Sequence, residues 1–300
     1  MQASDSACGP RLLVLATIFG TIGVLPSTLG VDARAQSPAV KFDVRATKGL
    51  VVSPVYEGWY EVEGTTYALF SYYNRNLEEI VHVPIGPHNS VAPGPPDQGQ
   101  PTRFLPGVFY GVFAVAVPKD QPKTELTWTL TANGQTLSIP ASLDPRYLIS
   151  PQRETGSAYP GNTPPVLKLD PAGPSGQGPH GIVAIRTATV SRPLMLDAWV
   201  TDDGLPPPKP GTRVPLSVGS LHLGSWGLVL RWQVYRGAGA VHFASQTPEV
   251  EQGKARTTVA FSEPGDYMLH LLAIDSRAAT RCCWTNGYVK VTVDKAAASR

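Results

Sequence analysis

Three hundred residues with 42% hydrophobic and 16% charged side chains are too apolar for a disordered chain and long enough for two domains. A formal net charge of +2, with lysine and arginine scattered, leaves no electrostatic footprint for nucleic acid or an anionic membrane. Proline (30) and glycine (29) disfavour helices, by removing a donor and by costing backbone entropy, and suit short strands joined by turns.

The N-terminus reads as a signal peptide over residues 1–35. Arg11 precedes an apolar run from Leu12 to Leu25, Pro26 and Gly30 break it, and Ala33-Arg34-Ala35 is an A-x-A cleavage site. The run is shorter than the roughly 20 residues a membrane span needs. An uncleaved anchor is the alternative. Cys8 lies before the run and is not placed like a lipoprotein cysteine. The expected location is periplasm, cell surface or medium, with no integral membrane span in the mature chain.

Residues 36–148 are expected to form a first β-sandwich-like module. Tyr56–Val62 and Thr65–Tyr73 flank Gly64 as a hairpin. A short strand at Glu79–Val83 leads into a Pro/Gly loop from Pro84 to Gly107. Val108–Val117 is apolar on both faces and reads as a central strand. Leu126–Thr131 and Gln135–Ile139 flank Asn133-Gly134, a type I′ hairpin signal because both residues tolerate positive φ. Residues 149–163 read as a Pro/Gly-rich linker, with little beyond Val166–Leu169 strand-like before 180. A second module, 164–295, follows. Its strands are Leu194–Val200, Leu228–Tyr235, Val241–Phe243, Arg256–Phe261, Tyr267–Ile274 and Tyr288–Val293. The fold class is therefore all-β: two sandwich-like modules after a signal peptide.

The second module resembles an immunoglobulin-like sandwich, and more narrowly a PKD-type or cadherin-like domain. Trp232 stands where a core tryptophan of the third strand belongs. Pro264-Gly265-Asp266-Tyr267, followed by Leu269 and Leu271, resembles a tyrosine corner, and Asp202-Asp203-Gly204 resembles the acidic turn after the second strand. The pattern departs from antibody domains in having no cysteine at Leu196 or Leu269. The first module, with its DQGQ and NGQT turns, resembles exported bacterial proteins of uncharacterised function, which implies no activity.

No nucleophile elbow, S-x-x-K set, C-x-x-C or H-x-x-x-H is present, so acyl transfer and zinc chemistry have no motif behind them. Glu61/Glu63 and Glu78-Glu79 read as solvated strand carboxylates rather than glycosidase pairs. Asp202, Asp203 and Asp275 fall at one pole of a sandwich and are candidate oxygen ligands for calcium, against simple Asp-Gly turn chemistry. No other cofactor is expected. The stiff loop 84–107 is the candidate partner surface: Asn89, Asp97, Gln98 and Arg103 offer hydrogen bonds, Phe104 an anchor, and Trp59 and Tyr72 stacking faces. The expected function is a non-enzymatic binding or interaction protein for an extracytoplasmic protein or glycan. The alternative is a hydrolase acting on polysaccharide or cell-wall material. Cys282 and Cys283 are adjacent and have no other cysteine within the mature chain to reach, so a vicinal disulfide, two free thiols and an intermolecular bridge all stand open.

Overall fold

The structure is a computed structural model, and it describes residues 47–118, 126–155, 159–207, 227–275 and 282–296. The expected signal peptide, Cys8 and most of the Pro-rich stretch after Asp203 lie outside the described residues. Among those described, no helix is long and apolar enough to cross a membrane, and strands dominate as the composition requires.

The first sandwich contains β1 (Val52–Val62), β2 (Thr65–Asn74), β3 (Val81–His82), β4 (Asn89–Ala92), β5 (Arg103–Phe104), β6 (Gly107–Ala116), β7 (Thr127–Ala132) and β8 (Gln135–Pro140). One sheet has the order β1-β2-β6, a second β4-β7-β8, and β3 pairs with β5. Phe70, Phe113, Phe104 and Trp128 fill the space between the sheets, with Phe113 edge-on to Trp128 at 5.0 Å. The expected hairpin is formed: Asn133 and Gly134 have φ of 49° and 75°, and β7 pairs with β8 in register across them.

The second sandwich contains β9 (Val166–Lys168), β10 (Ser175–Gly176), β11 (Ile182–Thr189), β12 (Leu194–Thr201), β13 (Val229–Arg236), β14 (Val241–Phe243), β15 (Lys254–Phe261), β16 (Gly265–Ile274) and β17 (Trp284–Asp294). Its sheets run β10-β9-β12-β15-β14 and β11-β17-β16-β13. This is an immunoglobulin-like arrangement, with β11 added in parallel to β17. Trp232 is buried between the sheets beside Leu269 and Leu271. The Tyr267 hydroxyl donates to Glu263 O at 2.9 Å, which closes the tyrosine corner.

Three features differ from the sequence reading. Glu79–Val83 contributes only Val81 and His82 to a strand. The 108–117 segment is an edge of its sheet, not its centre. It is apolar on both faces because the second sandwich covers the face turned away from its own core. Within the stretch read as a Pro/Gly-rich linker, Glu154 and Asn162 are buried and are joined by Glu154 N–H donating to Asn162 O at 2.8 Å.

The covering of β6 sets the architecture. Tyr60 and Leu69 of the first sandwich pack with Leu272 and Trp284 of the second in a separate apolar cluster, so the β1-β2-β6 sheet lies face to face on β11-β17-β16-β13. Gly111 makes the approach possible. Its φ is +54°, and a Cβ there would lie 2.1 Å from Trp284 Cζ2. Asn286 Nδ2 donates to Gly111 O (2.9 Å) and Pro179 O (2.8 Å), and Tyr288 OH donates to Val112 O at 2.8 Å. With both amide hydrogens of Asn286 committed, its Oδ1 accepts from His270 Nε2 at 3.0 Å. His270 Nδ1 then accepts from Gln233 Nε2 at 2.9 Å.

Gly111→Ala is expected to lower the unfolding free energy by about 3 kcal/mol, through overpacking against Trp284 at a positive-φ site. A loss below about 1 kcal/mol in urea melts would contradict that contact. His270 is neutral because burial pulls its pKa down to about 4. The unfolded imidazole titrates near 6.5, so the unfolded state takes up the proton first as pH falls. Stability is therefore expected to drop between about pH 6.5 and pH 4 by on the order of 3 kcal/mol. Melts across that window check it, and His270→Gln should flatten the slope.

Candidate functional site

Two places concentrate chemistry. The first is the seam between the sandwiches, where the loop expected to meet a partner meets the chain's own second sandwich. Arg236, at the end of β13, grips Asp97 with both terminal nitrogens at 2.7 and 2.8 Å. Its Nε donates to Gln100 O at 2.9 Å. Tyr235 OH donates to Gly99 O at 2.6 Å, and Thr102 N–H donates to Tyr235 O at 3.3 Å. Arg236 holds the Asp97 carboxyl below its ordinary range.

The candidate loop residues are therefore divided. Asn89 is fully buried, its Nδ2 donating to Val83 O and Pro101 O and its Oδ1 accepting from Trp128 Nε1. Phe104 and Tyr72 are buried in the first core, and Tyr72 OH accepts from Leu105 N–H. These three brace the fold and present no surface to a partner. Gln98 Nε2 donates to Val91 O at 2.6 Å. Trp59 Nε1 donates to Asp144 O at 2.9 Å. Arg103 is part-buried on β5, opposite His82. Asp97 faces Arg236.

The second place is a pole of the second sandwich. Asp202 and Asp203 follow β12, and Asp275 follows β16. The carboxylate oxygens of the three lie within 4.8 Å of one another. Asp203 is fixed by Thr163, whose N–H and Oγ1 donate to Oδ2 at 2.8 and 2.9 Å. Its Oδ1 accepts from Leu205 N–H. Asp202 Oδ2 accepts from Gly204 N–H at 3.0 Å. These are the hydrogen bonds of Asp-Gly turns, and they also pin two carboxylates.

Asp275 has no such explanation. It is 0% exposed, and neither of its oxygens has a hydrogen-bond partner among the described residues. Burial raises its pKa, and the carboxylates of Asp202 and Asp203 push it further, to about 9. Asn162, 2% exposed, lies beside it with its own Oδ1 buried and unpartnered. Three carboxylates thus bring hard oxygen atoms to one point, the buried one among them being Asp275. That donor set suits Ca²⁺, which takes carboxylate and amide oxygens.

Cys282 and Cys283 close the same neighbourhood. Both are buried, their sulfurs abut, and Cys283 Sγ lies 3.4 Å from Asn162 O. Asp275 N–H donates to Cys283 O at 3.3 Å.

No family model and no curated protein matches the chain. Matches to solved structures are local. A nucleoside hydrolase-related hypothetical protein from Saccharophagus degradans, associated with carbohydrate metabolism, is 16% identical with a TM-score of 0.30. That match covers 45% of this chain and 26% of that one, so the chain spans about a quarter of its length. The PKD domain of human KIAA0319 is 18% identical over 40% of this chain and 81% of that one, with a TM-score of 0.19. The D00-D0 domain of intimin is 10% identical over 81% of this chain and 100% of that one, with a TM-score of 0.25. These neighbours include immunoglobulin-like and PKD domains, and the assignment of the fold rests on the strand pairing above.

We propose a vicinal disulfide, because the two thiols of an exported chain would meet an oxidising environment and no other described residue is a cysteine. The intact mature chain is expected to be a monomer two hydrogens lighter before reduction than after. Complete iodoacetamide labelling of both thiols without reductant would rule it out.

Proposed function

We propose that the chain is an exported, non-enzymatic binding protein whose second sandwich takes up a calcium ion at its acidic pole. One observation carries the reading: the Asp275 carboxylate is buried with no geometric hydrogen bond to either oxygen, and it faces the carboxylates of Asp202 and Asp203. A buried carboxylate without donors is unfavourable unless it is neutralised by a proton or a cation. Three carboxylates together supply more negative charge than one proton offsets. The A-x-A leader pattern supports export, and extracellular modules bind calcium in the range of roughly 10⁻⁴ to 10⁻³ M.

Calcium at about a hundred times Kd is expected to raise the melting temperature by roughly 5–10 °C, because it binds the native state alone. Asp275→Asn should abolish the response. Affinity should fall as pH falls, since the cation must displace the proton that Asp275 holds below pH about 9. Melting curves that coincide in millimolar calcium and in EDTA would refute the site.

A further inference from the structure

A cleft of about 330 Å³ opens where the loop carrying Asp97, strand β6 and the outer face of β16-β17 meet. This volume is at the lower end for small-molecule sites. Phe113 and Tyr288 give it an aromatic floor, and Arg236, Lys290, Asp97 and His180 supply polar walls. Val183 of β11, 54% exposed, adds an apolar side chain to its lining. We infer that this cleft binds a small carboxylate with a ring-sized apolar body, its carboxylate between Lys290 and Arg236 and its body on Phe113 and Tyr288.

The charge balance points to a monoanion. Asp97 is forked by Arg236 and also lies in the field of Lys290, so two cations share one carboxylate. Arg236 has five N–H groups. Four are accounted for: two to Asp97 and two to Gln100 O. One guanidinium N–H and the Lys290 ammonium are left for a ligand, which matches the two oxygens of a carboxylate. A phosphate dianion would bring more charge than the single net cation offsets.

His180 forms the opposite wall. His180 stacks on Tyr67 at 5.2 Å, and its Nδ1 is buried without a hydrogen-bond partner. Burial lowers its pKa, which favours the neutral ring, so this wall adds no charge to the cleft. The site is rigid because its two halves are tied by the Tyr235–Gly99 and Tyr288–Val112 hydrogen bonds. Little ordering cost then falls on binding.

This inference names the ligand of the binding protein proposed above and rests on that reading, but not on calcium. Phenylacetate is the probe, titrated into the ¹⁵N-labelled mature protein once in calcium and once in EDTA. A ligand of this size is expected to bind at roughly millimolar Kd, with amide shifts centred on Gly99, Phe113, Val183 and Lys290. Phenylacetamide, its neutral isostere, should bind at least tenfold more weakly, and Lys290→Met should weaken phenylacetate to a similar degree. Unmoved resonances up to about 20 mM phenylacetate, roughly twenty times the expected Kd, would overturn the inference. So would equal binding of acid and amide, or displacement by inorganic phosphate at lower concentration. A failed calcium site shows instead as an unchanged melting curve, with phenylacetate shifts the same in both buffers.

Discussion

The β11-β17-β16-β13 sheet has no solvent face along much of β16 and β17, and the rest of the structure depends on that constraint. One face packs on its immunoglobulin-like partner sheet through Trp232, Leu269 and Val291. The other lies under β1, β2 and β6 through Leu272 and Trp284. Every polar side chain on that second face must find its partners inside the protein. Asn286 does so by bridging the two halves, since its amide hydrogens go to carbonyls on opposite sides of the seam. Its remaining oxygen then dictates the tautomer of His270, and His270 dictates how Gln233 is turned.

The same burial explains which seam contacts are strong. The Arg236–Asp97 pair has its arginine side chain only 13% exposed and its aspartate 53% exposed. A pair half in solvent gains less than a buried one and is weakened by salt. The uncharged Tyr235, Tyr288 and Asn286 bonds to backbone carbonyls are buried or part-buried and depend little on ionic strength. Gly111 is the geometric condition for all of them: an ordinary side chain would separate β6 from Trp284.

Local chemistry was legible in the sequence, and contacts across the seam were not. Asn133-Gly134, the tyrosine corner at Tyr267 and the inward Trp232 each follow from residues a few positions apart. The meeting of Asp202, Asp203 and Asp275 followed from where strand ends fall in a sandwich. Val108–Val117 misled because burial on both faces resembles a central strand, whereas here the second cover is another sandwich. Ile182–Thr189 was passed over because Arg186, Thr187 and Thr189 interrupt any clean alternation and parallel pairing to the C-terminal strand leaves no hairpin signal. Asn89, Phe104 and Tyr72 looked available for a partner because a Pro/Gly loop reads as exposed. This loop instead folds back, with β4 and β5 inside it. Asn162 carried no signal, since nothing in spacing places it beside a residue 113 positions later.

The acidic pole and the seam are mechanically joined. Thr163 is held by Asp203, and its neighbour Asn162 touches both Asp275 and Cys283. Immediately after Cys283 come Trp284, which fills the space against Gly111, and Thr285, which binds Pro165 O and receives Gly178 N–H. Asn286 and Tyr288 then complete the seam. The cation proposed above, by drawing Asp202, Asp203 and Asp275 together, would therefore tighten the start of β17 and the connection between the sandwiches at once. Loss of the cation leaves like charges beside a buried carboxylate at the point where that connection is anchored. The order of residues along β17 makes the acidic pole and the seam a single structural unit, although Asn162, Asp202, Asp203 and Asp275 come from three separate stretches of chain.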